Sequence, residues 1–142
     1  MTLRLVSVLA GALLAGACGS DASEPSQLLC SERTGGALIT LGIRSERLTV
    51  WSTSDAFIAE AQQILDAAAP QRVPVFGRLR DGRDCDAQWS WHVEPAAMEW
   101  ADATVELCDG LPSLIESNKA YWLDTVGRYC PWSADVADVV EQ

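Results

Sequence analysis

The sequence predicts an α+β domain: a small, mostly antiparallel sheet with two main helices packed on one face, stapled by disulfides. Three observations lead there. Short alternating apolar runs recur along the chain, with the period of half-buried strands. One long stripe at helical period interrupts them. Cys30, Cys85, Cys108 and Cys130 form an even set in a chain that reads as exported, where thiols oxidise. Hydrophobic residues make up 49% of the 142, enough for one packed core.

In chain order, residues 37–43 are β-rich and follow the Gly35-Gly36 turn signal, and residues 47–52 form a second short strand. The polar Arg44-Ser45-Glu46 between them suits a hairpin turn. Phe57, Ile58, Ala61, Ile64, Leu65 and Ala68 then fall on one helical stripe, with Glu60, Gln62, Gln63 and Asp66 outside it. Ser54 or Thr53 caps its start, Asp55 complements the positive helix end, and Pro70 ends it.

Residues 72–80 alternate again. Val73, Val75 and Leu79 share one face, Arg78 and Arg80 the other, and Pro74 points to an edge or a strand start. Residues 81–86 read as a loop. Residues 88–94 alternate as a strand closed by Pro95, and 98–108 read as further strand. Pro112 is placed for the first turn of a second helix, whose apolar pattern continues through Trp122 and Val126. Cys130-Pro131-Trp132-Ser133 reads as a rigid turn, and the last nine residues as a short amphipathic tail.

The N-terminus reads as an address. Arg4 precedes an uncharged apolar run, residues 5–14, too short to span a bilayer as a mature helix. Ala15-Gly16-Ala17-Cys18 then resembles the lipobox of a bacterial lipoprotein signal, in which the Cys becomes the lipidated first residue. Ordinary cleavage after Ala17 also fits these small residues. Cysteine parity separates the two: of five Cys, assigning Cys18 to lipid leaves four to pair. The expected organisation is a lipoprotein signal over 1–17, a flexible polar tether over 18–28 and a single domain over 29–142. Gly19 rather than Asp after Cys18 favours, by the same resemblance, the outer membrane of a bacterial envelope.

With 10 Lys+Arg against 20 Asp+Glu, the chain carries a net charge of −10, which argues against nucleic acid as a partner. The candidates for chemistry are few. His92 is the single histidine, and Glu94, two residues on, shares its strand face, so the pair is the one candidate for general-base catalysis. No Gly-x-Ser-x-Gly elbow accompanies them, and a structural histidine in a Trp-rich sheet is the expected reading. Asp81, Asp84 and Asp86 offer hard oxygen ligands, but their spacing is not that of a calcium loop and Arg83 intrudes, so neither metal nor cofactor is expected. Six Trp are many for this length. Trp89, Trp91 and Trp132 are expected in the core, leaving Trp51, Trp100 and Trp122 as candidate faces for a protein or carbohydrate ligand. The four cysteines lack zinc-knuckle spacing, and as disulfides they allow three pairings.

Trp89-Ser-Trp-His-Val-Glu-Pro95, then Val105-Glu-Leu-Cys-Asp109, then Tyr129-Cys-Pro-Trp-Ser133 occur in that order. Together with the upstream strand, helix and Val75-Phe-Gly-Arg-Leu79, they resemble the N-terminal domain of a slime-mould calmodulin-binding protein, a domain also found in exported bacterial proteins. The likeness runs over about residues 38–140. Cys108 and Cys130 both belong to its motifs, which implies that they pair and that Cys30 goes to Cys85. It implies no catalytic residue. Calmodulin is not an expected partner, because its targets are basic amphipathic helices and both helices here are acidic or neutral.

The functional expectation is an envelope-anchored lipoprotein with a non-catalytic binding domain. The alternatives are a protease-inhibitor-like module, for which residues 81–88 would be the exposed rigid loop, and a small hydrolase using His92.

Overall fold

The computed structural model describes residues 30–103 and 105–142. The proposed leader, Cys18 and the tether lie outside the described residues. The fold is the α+β arrangement expected, with every strand pairing antiparallel, but the strands form two sheets rather than one.

The first sheet has the order β2-β1-β7. Strands β1 (Ala37–Ile43) and β2 (Glu46–Ser52) form a hairpin in register from Ala37↔Ser52 to Ile43↔Glu46. Its two-residue turn carries Arg44 at φ 56°, the left-handed conformation such turns require. The other edge of β1 is taken by β7 (Ala134–Glu141). The expected amphipathic tail is therefore a strand. The register shifts between Thr40 and Leu41, which face Asp138 and Val136, so Ala137 is an extra residue in β7. This bulge breaks the alternation after Val136 and gives Val136, Val139 and Val140 a spacing that imitates a helix.

Helix α1 (Asp55–Leu65) crosses against β1 and β7. Ser54 caps it by accepting from the Phe57 N–H at 3.4 Å, and Phe57, Ala61 and Ile64 are its buried stripe. It stops at Leu65, five residues before Pro70, so Ala68 falls outside it.

The second sheet is built around β3 (Val75–Asp81). Its start pairs with β5 (Glu99–Trp100), its middle with β6 (Arg128–Tyr129) and its end with β4 (Trp91–Val93). Gly77 lets β3 approach β4, since a Cβ there would lie 2.3 Å from Val93 Cγ1. A bridge between Val73 and Ala134 joins this sheet to the first.

The long strand expected over 98–108 is reduced to two residues. Ala101 N–H donates to the Pro74 carbonyl at 3.0 Å, beyond which Pro74 has no N–H to continue a ladder. Glu106–Cys108 forms a 3-10 turn instead, leaving Val105 and Leu107 exposed. The strand expected over 88–94 contracts similarly to Trp91–Val93.

The second helix is broken into α2 (Pro112–Ser117), α3 (Lys119–Tyr121) and a π-helical turn, Trp122–Val126. Gly127, at φ 69°, ends it by donating to the Trp122 carbonyl at 2.7 Å. Ile39, Leu41, Ile43, Leu48, Phe57, Trp91 and Ile115 are the innermost side chains. Each such burial stabilises by about 1.5–3 kcal/mol. Disulfides join Cys30 to Cys85 and Cys108 to Cys130.

Candidate functional site

Three of the tryptophans change places relative to expectation. Trp51 is buried, its ring packed over Gly36 with the Arg33 guanidinium 5.7 Å from the ring centre. Trp122 is buried and meets Tyr129 edge-on at 6.4 Å. Neither offers a face to a ligand, because each fills the gap left by a nearby glycine, Gly36 or Gly110. Trp132, expected in the core, is 42% exposed, because the chain turns at Pro131-Trp132-Ser133 outside the Cys108–Cys130 bridge. Trp89 and Trp91 stack at 6.3 Å, and Trp91 meets Tyr129 edge-on at 5.7 Å. Burial raises the Tyr129 phenol well above its ordinary range, so it stays a donor, to the Gly110 carbonyl at 2.8 Å.

His92 and Glu94 share a strand face, but each serves a different partner. His92 Nδ1 donates to the Gly82 carbonyl at 2.8 Å. Glu94 Oε2 accepts from Arg80 at 2.7 Å and lies 3.6 Å from Arg78. Among the described residues no ion pair joins His92 to Glu94.

The aspartates of the 81–86 loop diverge. Asp81 pairs with Lys119 at 2.8 Å, Asp84 with the Arg33 guanidinium, and Asp86 accepts the Thr49 N–H at 2.9 Å. The Lys119 hydrogen bond holds the Asp81 carboxyl below its ordinary range, helped by the Gly82 N–H. The one cluster of potential metal ligands among the described residues is Cys30, Asp84 and Cys85, and its sulfurs are bound to each other.

Trp100 stands at the edge of an open cleft of about 520 Å³, within the range of small-ligand sites. The cleft lies between the start of α1 and the β3–β5–β6 surface. Trp100 stacks on Phe57 at 4.5 Å and 13°, and its Nε1–H donates to the Phe57 carbonyl at 3.0 Å, which fixes the ring. Phe76 and the buried Met98 add apolar floor. Arg78 and Arg128 line the β3–β6 side, directly opposite each other in register. The Arg128 guanidinium sits 5.0 Å from the centre of the Phe76 ring. Glu60, on α1, and Glu99, opposite Phe76, are exposed carboxylates at the rim.

Of this site, sequence reasoning singled out only Trp100. It placed Arg78 on the polar face of its strand, but the rung that sets Arg128 beside Arg78 spans 50 residues and has no local signature. Phe76, Glu60 and Glu99 carry none either.

Architecture and site together define a small α+β domain, stapled by two disulfides, with an aromatic and arginine-lined cleft. The chain belongs to the family named for the N-terminal domain of calmodulin-binding protein 74 of Dictyostelium. The family model matches residues 37–142, from the first residue of β1 to the last of the chain. Cys30 lies outside that match. No curated protein and no solved structure matches the chain.

Proposed function

We propose that this chain is a non-catalytic binding module, held at a bacterial envelope by lipid on Cys18, with the cleft between α1 and β3 as its ligand site. The observation that carries the reading is the cleft itself. A fixed indole, an apolar floor and two arginines line the same open space, whereas His92 and Glu94 are each engaged in holding the fold. Cysteine arithmetic supports the anchor. With Cys30, Cys85, Cys108 and Cys130 joined in two pairs, Cys18 is the odd one of the five. No helix among the described residues is long and apolar enough to cross a membrane. The outer membrane is the favoured site by the residue after Cys18.

Intact-mass measurement and detergent phase partitioning test the anchor. Wild type should carry acyl mass on Cys18 and enter the detergent phase, and Cys18→Ser should do neither. An unlipidated wild-type N-terminus would refute it.

One observation favours a second reading, the protease-inhibitor-like module. The exposed tip at residues 81–83 is pinned from several sides, through Asp81–Lys119, His92–Gly82, Arg33–Asp84 and the Cys30–Cys85 bridge. Preorganisation of this kind is what a substrate-mimicking loop needs. Stoichiometric inhibition of an arginine-specific serine protease, abolished in Arg83→Ala, would establish it, and rapid cleavage after Arg83 would refute it.

A further inference from the structure

We infer that the cleft binds a sugar ring carrying a carboxylate, a uronic acid residue, with Arg78 and Arg128 as a two-guanidinium clamp; this rests on the cleft being the ligand site. Like charges directly opposite each other in an antiparallel pair destabilise it. Arg78 and Arg128 occupy such a rung, in a chain with twice as many acidic as basic residues. Their charge is poorly answered within the protein. Glu94 Oε2 lies 2.7 Å from Arg80 and 3.6 Å from Arg78, so one carboxylate serves two guanidiniums. Arg128 has no carboxylate within ion-pair distance among the described residues and rests on Phe76. Both arginines are exposed. Planar guanidinium forks match a carboxylate in two-point geometry.

The rest of the cleft selects what carries that carboxylate. Trp100, with one face covered by Phe57, and Phe76, with one face covered by the Arg128 guanidinium, supply the remaining aromatic surface for the apolar side of a sugar ring. Glu60 and Glu99 are acceptors for hydroxyl protons. The same two carboxylates repel a ligand of dense negative charge, such as an acidic peptide or a polyphosphate. A uronate brings one charge per ring and several hydroxyl donors, which fits both halves of the cleft.

The test uses the exported protein in detergent and three probes: trigalacturonate, neutral galactotriose and tetra-aspartate. Binding is followed by calorimetry, and its place by the NMR shift of the Trp100 indole N–H. Trigalacturonate should bind, move the Trp100 signal and weaken with added salt. Arg128→Gln and Arg78→Gln, which relieve the like-charge rung, should keep or raise the melting temperature and weaken that binding about tenfold to a hundredfold.

Equal binding of galactotriose at Trp100, unchanged in both variants, would overturn the acidic-sugar inference and leave the cleft reading standing. Tighter binding of tetra-aspartate at Trp100 would overturn it in favour of a peptide. Trigalacturonate binding that leaves Trp100 unmoved and ignores both substitutions would overturn the inference and the cleft reading together. Failure of all three probes to bind at millimolar concentration would overturn the inference.

Discussion

The two disulfides offer a comparison in which chain entropy and burial give opposite rankings. The perturbation is paired replacement by alanine, Cys30→Ala with Cys85→Ala in one variant and Cys108→Ala with Cys130→Ala in the other. The bridged residues are 55 and 22 positions apart. Loop-closure entropy then assigns about 4.2 kcal/mol to the outer bridge and about 3.4 to the inner one. Burial acts the other way. Cys108 and Cys130 are 2% and 0% exposed, whereas Cys30 and Cys85 are half-buried. Two sulfurs removed from a packed interior cost about 1 kcal/mol each in lost transfer and cavity energy. The outer segment also keeps the Arg33–Asp84 ion pair and the Gly35–Gln142 backbone bond after its bridge is gone. The inner variant should therefore be the less stable by about 1 kcal/mol, or roughly 3–6 °C in Tm for a domain of this size. Urea unfolding followed by tryptophan fluorescence measures it, with both variants kept oxidised. The outer variant should show the larger rise in m-value, since its denatured state gains the longer free loop. An outer variant that unfolds at lower urea than the inner one would refute the weight given to burial.

Further expectations follow from the hairpin and the sheets. His92→Gln should cost about 1 kcal/mol of stability through the lost Gly82 contact, seen as a lower melting temperature, with ligand binding kept; an unchanged melting point together with loss of a measured turnover would promote the hydrolase reading. Gly77→Ala places a Cβ against Val93 and should destabilise by about 1–3 kcal/mol. Val93→Ala in the same chain should recover part of that, and additive losses in the double mutant would show the contact is misassigned. Acid should loosen the 81–90 hairpin from α2 and α3 before the core unfolds. Asp81, through Lys119, and Glu116, through the Ser90 N–H, are held below their ordinary values of 3.8 and 4.5. A depressed carboxyl contributes fully above its ordinary value and loses that contribution as pH falls through its folded value, so Ser90 amide protection should decline below about pH 4. Ser90 protection that is flat down to pH 3 would contradict this.

Strand alternation explains the histidine. Its neighbours Trp91 and Val93 are buried, so the His92 ring is turned to the opposite, half-buried face, where it meets what the preceding loop brings over it. Here that is the Gly82 carbonyl. The contact makes His92 a clasp on the hairpin.

Periodicity and turn signals by themselves determined the β1–β2 hairpin, α1 with its cap at Ser54 or Thr53, and the start of α2 at Pro112. Each of these depends on residues a few positions apart, where local conformation and one apolar face give the same answer. The disulfide pairing came with the family likeness of the motifs around Cys108 and Cys130. Tertiary structure decided what local patterns could not carry. The tail became β7 because β1 offered it an open edge, and a bulge at Ala137 hid the strand period. The strand after Pro95 shrank to Glu99–Trp100 because its partner's ladder ends at Pro74. Trp51 and Trp122 were buried, and Trp100 left at a cleft, according to which ring found a glycine to pack on and which found Phe57. The Arg78–Arg128 rung joins residues 50 apart in sequence, and only the closing of β6 on β3 sets the two charges side by side.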